Sequence, residues 1–190
     1  MKFLIYLAFL QTTLAEYYSD SPCPVRPVQQ NFDIKKIVGR WYTVMKYDDA
    51  YGSSLTCGYG TYYPIDDSSV KVIDCELSQG KYSCLTGIIS LEDSSTVPLS
   101  GRTSYAYFDN PKQKVDSFKY LSTDYDNYAI VYECKEKQDG KSIHYLWVSS
   151  RAPIMSDSTK KTVDEIIGNY FDRNSINSID QKADICDPRT

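Results

Sequence analysis

Histidine is nearly missing from this sequence: His144 is the only one among 190 residues. The chain also has no C-x-x-C pair, no N-x-S/T sequon and no block of clustered Lys and Arg. Each shortage closes off a class of function. A zinc site needs cysteines and histidines at short spacing, so the cysteines here do not read as metal ligands and no metal is expected. Nucleophilic catalysis usually sets a Ser or Cys beside a His base, and a single histidine leaves little to build an enzyme with. Phosphate recognition needs grouped basic residues. This chain carries a net charge of −4 instead, so nucleic acid is not an expected partner. N-glycosylation is not expected either.

Long apolar runs are also scarce. The one at the start, Phe3-Leu4-Ile5-Tyr6-Leu7-Ala8-Phe9-Leu10, follows Lys2 and gives way to Thr12-Thr13-Leu14-Ala15. A positive residue, a short apolar run and a small-residue exit are the layout of a secretory signal peptide. The run is too short for a membrane span, which takes about 20 apolar residues, and no later segment is apolar enough. Cleavage after Ala15 would leave Glu16–Thr190, a secreted chain with 20 basic and 25 acidic residues, net −5. That length suits one domain with its own core, since domains typically hold about 100–200 residues.

What the chain has in quantity is tyrosine, 18 residues, with frequent Val, Ile and Thr. Extended runs separated by turns read as strands over 40–48, 57–64, 69–77, 82–91, 103–109, 114–121, 127–136 and 142–150. Gln79-Gly80 and Asp139-Gly140 supply hairpin chemistry, and Asn110-Pro111 breaks another pair. Asp66-Asp67 and Asp124-x-Asp126 fall in such turns, where Asp caps backbone groups; neither has the spacing of a calcium loop. After the last run the period changes. Val163, Ile166 and Ile167 share one helical face, Ser156 or Asp157 can cap its start, and Gly168 can end it. The polar tail 169–190 is expected to fray except where Cys186 pins it. Eight strands followed by one helix point to an all-β fold: an eight-stranded antiparallel up-and-down barrel, wide enough for one small ligand, with the helix packed outside.

Six cysteines, Cys23, Cys57, Cys75, Cys84, Cys134 and Cys186, read as three disulfides in an exported chain. Spacing speaks for one of them. A two-residue turn on Gln79-Gly80 sets Cys75 opposite Cys84 in a non-hydrogen-bonded pair, where side chains come closest. Free thiols, or a covalent ligand on one of them, remain open.

Three stretches carry a family resemblance. Gly39-Arg40-Trp41-Tyr42, preceded by Asn31-Phe32-Asp33, resembles the Gly-x-Trp opening of lipocalins. Thr123-Asp124-Tyr125, leading into Asp126-Asn127-Tyr128-Ala129-Ile130-Val131-Tyr132-Glu133-Cys134, resembles their turn between the sixth and seventh strands. Trp147-Val148-Ser149-Ser150-Arg151 resembles the end of their eighth strand. Three motifs in order, with the helix after the third, identify the chain as similar to lipocalins. Within the family the look is that of apolipoprotein D and the insect bilin-binding, insecticyanin-like proteins; Cys23-Pro24 ahead of the first motif fits that branch.

The resemblance implies the pairings Cys23–Cys134 and Cys57–Cys186. It implies that Arg151 lies across Trp41 at the barrel floor, a structural role. It places Met45 and Tyr47, Val72 and Asp74, Leu85, Tyr105 and Tyr107, Phe118 and Tyr120, Val131 and Glu133, and Tyr145 and Trp147 inward, as candidate ligand contacts. Lys135, with Asp74, Glu76 and Glu133, would stand nearer the mouth. Cys75, Cys84 and His144 would then face out. A tyrosine ring offers an apolar face and a hydroxyl handle, so a Tyr-rich lining suits a flat conjugated ligand with polar substituents, most concretely biliverdin held without a covalent bond. A lipid, retinoid or steroid carrier in the manner of apolipoprotein D is the alternative. A secreted protective or interaction protein with an incidental pocket is a third. A homo-oligomer is left open.

Overall fold

The computed structural model describes residues 16–47, 56–78, 80–93, 95, 99–108 and 116–187. Residues 1–15, expected from sequence to be a leader, lie outside the described residues, as do Gln79 and Asn110-Pro111, where a break is expected. Among the described residues, ten strands form one antiparallel sheet: β1 (Glu16–Ser19), β2 (Gly39–Tyr47), β3 (Thr56–Pro64), β4 (Ser69–Ser78), β5 (Lys81–Leu91), β6 (Arg102–Tyr107), β7 (Asp116–Thr123), β8 (Tyr128–Glu136), β9 (Ser142–Ser150) and β10 (Ile176–Ser178). β2 to β9 pair in sequence order, and β9 pairs back onto β2, closing an eight-stranded barrel. The helix α1 (Asp157–Gly168) packs outside, and a short helix α2 (Ala183–Cys186) ends the described chain.

Two devices explain the turns. Ser78 faces Lys81 across the β4–β5 turn, and Gly80 takes φ +74°, a value that suits a residue without a Cβ. Asp124 accepts from the backbone N–H groups of Asp126, Asn127 and Tyr128 at 3.2, 2.8 and 3.0 Å. Its carboxyl is held below the usual range: burial works against the charge, and the hydrogen bonds from Asn127, Tyr128 and Asp126 outweigh it. This is the capping role expected of the Asp124–Asp126 pair.

The apolar residues divide between two sides of the wall, which is why both faces of the strands are apolar in sequence. The outer cluster joins α1 to the barrel, with Val163 and Ile167 against Val44, Ile130, Leu146 and Val148. Ser156 caps α1 by accepting from the Thr159 N–H at 3.2 Å. The inner cluster fills the floor with Phe32, Ile34, Ile37, Trp41, Val70, Val72 and Leu91. A 3-10 turn over Ile34–Ile37 lies under it.

Arg151 locks that floor. Its guanidinium stacks on the Trp41 ring and donates to the carbonyls of Tyr125, Val38, Arg40 and Lys36 at 2.8–3.2 Å. Trp41 Nε1–H donates to the Ile37 carbonyl at 2.7 Å.

Three disulfides are present: Cys23–Cys134, Cys57–Cys186 and Cys75–Cys84. The first two close loops of 111 and 129 residues, each expected to contribute about 4–5 kcal/mol in the chain-entropy picture. No cysteine is free.

The tail departs from the expectation that it frays. Beyond residue 42, β2 and β3 stop pairing with each other, and bulges interrupt both strands. Backbone groups left by that divergence are taken up by the tail. Ile179 N–H donates to the Val44 carbonyl at 2.9 Å, and Cys57 N–H to the Asp180 carbonyl at 2.9 Å. Gln181 Nε2 donates to the carbonyls of Thr43 and Gly58 at 2.8 and 2.7 Å. Buried carbonyls seek partners, and a polar tail is what supplies them.

His144 also differs from its expected surface position. It does point away from the barrel interior, but β1 and the arm after it cover it, leaving it 6% exposed. Ser142 Oγ donates to the Ser21 carbonyl at 2.6 Å, so it accepts from His144 Nε2–H at 2.7 Å. The other ring nitrogen, Nδ1, then accepts from the Tyr132 hydroxyl at 2.8 Å. Both nitrogens are occupied by structure, and burial, with Arg26 nearby, lowers the His144 pKa.

Candidate ligand-binding site

Above the floor the barrel encloses a cavity of about 230 Å³. Of the residues placed inward from sequence, Asp74, Leu85, Tyr105, Phe118, Tyr120, Val131 and Trp147 line it. The aromatic wall is continuous: Tyr105 meets Phe118 edge-on at 5.9 Å, and Phe118 meets Trp147 at 5.5 Å. Edge-to-face contacts of this kind stabilise aromatic pairs beyond their burial.

Val72 faces inward but lies below the cavity, fully buried in the floor cluster. Glu133, Lys135 and Tyr145 share the inward face without lining the cavity. Lys135 Nζ is 2.7 Å from Asp116 Oδ1 and 3.4 Å from Glu133 Oε1, and 5.0 Å from the centre of the Tyr145 ring. Tyr145 in turn stacks on Trp147 at 5.9 Å. Asp116, Glu133, Lys135 and Tyr145 form a support that meets the aromatic wall at Trp147. Burial pushes the Glu133 carboxyl up to about 7, although Lys135 pulls the other way. Tyr107 belongs to β6, and its side chain lies outside the described residues.

Met45 and Tyr47 are corrections. Both sit in the outer cluster, with Tyr47 edge-on to Phe171 at 5.8 Å. The cause is the bulge between Thr43 and Met45, where pairing with β9 shifts by one residue. One extra residue reverses every later side chain. Thr43 and Lys46 line the cavity instead. The bulge leaves no composition mark in the sequence, and strict alternation had no means of finding it.

Other lining residues arise from the same irregularity and from the inner face of β3. Gly58 and Tyr62 come from β3, Glu76 from β4, and Ile179 from the tail where β2 and β3 separate. Two glycines give the tyrosine rings and the acid their room. A Cβ on Gly87 would stand 2.5 Å from Tyr105 Cε1, and one on Gly60 would stand 2.6 Å from Asp74 Oδ1.

The most polar part of the wall centres on Asp74. Tyr105 O–H donates to Asp74 Oδ2 at 3.2 Å. Tyr62 and Tyr120 are hydrogen-bonded to each other, and both are raised above the ordinary tyrosine range, first by burial and then by neighbours that include Asp74. Burial pushes Asp74 itself up to about 7; Tyr105 lowers it and Glu76 raises it. Glu76 is raised by burial and lowered by Lys46.

Among the described residues, no group of three or more His, Cys, Asp or Glu is arranged to hold a metal. No described helix is long and apolar enough to cross a membrane. The closed barrel, its packed floor and one aromatic cavity define a container for a small hydrophobic molecule.

The profile of the Lipocalin / cytosolic fatty-acid binding protein family matches residues 38–182, and the chain belongs to this family. It is 32% identical over 170 residues to the bilin-binding protein of Pieris brassicae, covering 88% of this chain and 87% of that one. It is 28% identical over 183 residues to apolipoprotein D of Mus musculus, covering 95% and 94%. The fold is similar to that of insecticyanin from Manduca sexta, with a TM-score of 0.78 at 21% identity over 90% of this chain and 92% of that one.

Proposed function

We propose that this lipocalin is exported, cleaved after Ala15, and carries a bilin, most concretely biliverdin, without a covalent bond. The observation that carries the reading is the likeness to a bilin-binding protein over 88% of the chain, together with a cavity walled by Tyr62, Tyr105, Phe118, Tyr120 and Trp147. Flat conjugated rings pack against such a wall, and their N–H and carbonyl groups can meet its hydroxyls. The propionates would point to the mouth and solvent. Lys135 is a poorer partner than its position in sequence suggests, because Asp116 and Glu133 already match its charge. No catalytic step is assigned to the chain.

Biliverdin binding is tested by colour. The mature protein, titrated with biliverdin, should shift and sharpen the pigment's near-ultraviolet and red bands at a one-to-one ratio. A protein that leaves those bands unchanged does not carry a bilin.

The volume favours a second reading. About 230 Å³ lies below the roughly 300–1,000 Å³ of typical ligand pockets, and a retinoid or steroid needs less room than a tetrapyrrole. The likeness to apolipoprotein D over 95% of the chain points the same way. Binding of retinol or a steroid with biliverdin left free would select it.

A further inference from the structure

We propose that Asp74 is the specificity residue of the cavity: it receives an N–H or O–H donor from the ligand and turns away a ligand whose inner end, the end that reaches Asp74, is a carboxylate. This rests on the reading that the barrel carries a hydrophobic small molecule, and not on that molecule being a bilin.

The geometry isolates one acceptor. Asp74 lies midway along β4 and lines the cavity. Oδ2 takes the Tyr105 hydroxyl at 3.2 Å. Oδ1 lies over Gly60, where the missing side chain leaves it room. A carboxylate has about four lone-pair positions, so one neutral hydroxyl leaves most of its capacity for a ligand. Among the described residues, no cation is in contact with it. Across β3 stands Tyr62, on β6 Tyr105, on β7 Tyr120, and on β5 its partner is Leu85. Among the described residues, the other charged side chains that line this cavity are Glu76, which repels Asp74, and Lys46, which draws the Glu76 carboxyl down. The wall around Asp74 is therefore rich in hydroxyls and poor in positive charge.

Such a site sorts ligands by their end group. A donor that reaches Asp74 makes a charge-assisted hydrogen bond in a low-dielectric cavity. A carboxylate brought to the same point meets like charge with no intervening cation. Where burial keeps Asp74 protonated, the repulsion disappears and the selectivity with it.

Retinol and retinoic acid share a skeleton and differ at the end group, which makes them the probes. Equilibrium dialysis against the mature, disulfide-bonded protein at pH 8.5 and pH 5.5 reads the preference. Retinol should bind about tenfold or more tightly than retinoic acid at pH 8.5, the scale of a hydrogen bond to a charged group. The ratio should fall towards one at pH 5.5. Asp74→Asn should abolish the preference at both pH values and weaken biliverdin binding by a similar factor. Tyr105→Phe keeps the acid and frees its second oxygen, so it should retain or enlarge the preference; it also keeps the test open if Asp74→Asn fails to fold. No preference in the parent, or a preference that survives in folded Asp74→Asn, overturns the inference, as does biliverdin binding equally to both proteins. A retinol preference without biliverdin binding overturns the bilin reading and supports the inference. Binding of none of the three probes overturns both.

Discussion

The Arg151 guanidinium carbon lies 3.8 Å from the centre of the Trp41 ring, and the same side chain reaches four backbone carbonyls. The floor is thus held by one cation and one indole, brought together from opposite ends of the barrel strands in sequence. Trp41→Ala empties a packed site and should cost about 3–5 kcal/mol. Arg151→Ala should also lower the denaturation midpoint, because it leaves carbonyls without their donor. Urea unfolding measures both. Ligand affinity under native conditions should change little for whichever variant stays folded.

Trp147→Ala should behave in the opposite way. Its ring is a cavity wall held between Phe118 and Tyr145. Removing it enlarges a space that is already there. Ligand affinity should fall by more, in free energy, than stability does, as titrations and thermal melts on one preparation will show.

Gly87→Ala should shrink the cavity. The new Cβ would meet Tyr105 at 2.5 Å and the Ala106 carbonyl at 2.8 Å. Both the ring and the β6 backbone must shift, at an overpacking cost of about 1–3 kcal/mol. Weaker binding with a modest loss of melting temperature is the expected pair of results; unchanged binding would mean that the Tyr105 ring is not part of the wall that the ligand meets.

The disulfides predict a simple null in labelling. Denatured, unreduced protein should take up no thiol reagent, and reduced protein should take up six equivalents. Uptake at Cys75 and Cys84 alone would show the hairpin bridge to be absent in solution.

Two kinds of buried group give stability opposite responses to pH. His144 is lowered from 6.5 by burial and Arg26. The unfolded chain binds its proton more readily, so the stability it contributes is present above 6.5 and is lost as pH falls through the folded value. Asp74 is raised to about 7. Its contribution is present at low pH and lost as pH rises through about 7. Asp74→Asn should therefore remove a loss of melting temperature that develops as pH rises from the ordinary carboxyl value of 3.8 to about 7, while leaving the opposite response of His144 in place. A parent and variant with parallel pH profiles would be incompatible with a raised Asp74.

The sequence makes most of the frame readable for physical reasons. Turn glycines and Asp124 act locally, so Gly80 and the 124–128 turn need no tertiary knowledge. The hairpin register follows from its turn, which puts Cys75 opposite Cys84. The wall facing was readable only where alternation is unbroken, as from Val131 on β8 to Trp147 on β9. It failed at Met45 and Tyr47, because the bulge after Thr43 obeys a closure geometry that spans the whole barrel. His144 and Gln181 were unreadable for a related reason. Their partners, Ser142 with Tyr132 and the carbonyls of Thr43 and Gly58, are fixed by how distant segments cover the wall.

The chain has two tryptophans, and the fold gives them separate duties. Trp41 sits sealed under a cation in the floor, while Trp147 borders the cavity. Intrinsic fluorescence can therefore be divided without any added dye. In Trp41→Phe the remaining emission reports occupancy of the container, and in Trp147→Phe it reports whether the container is closed at its base.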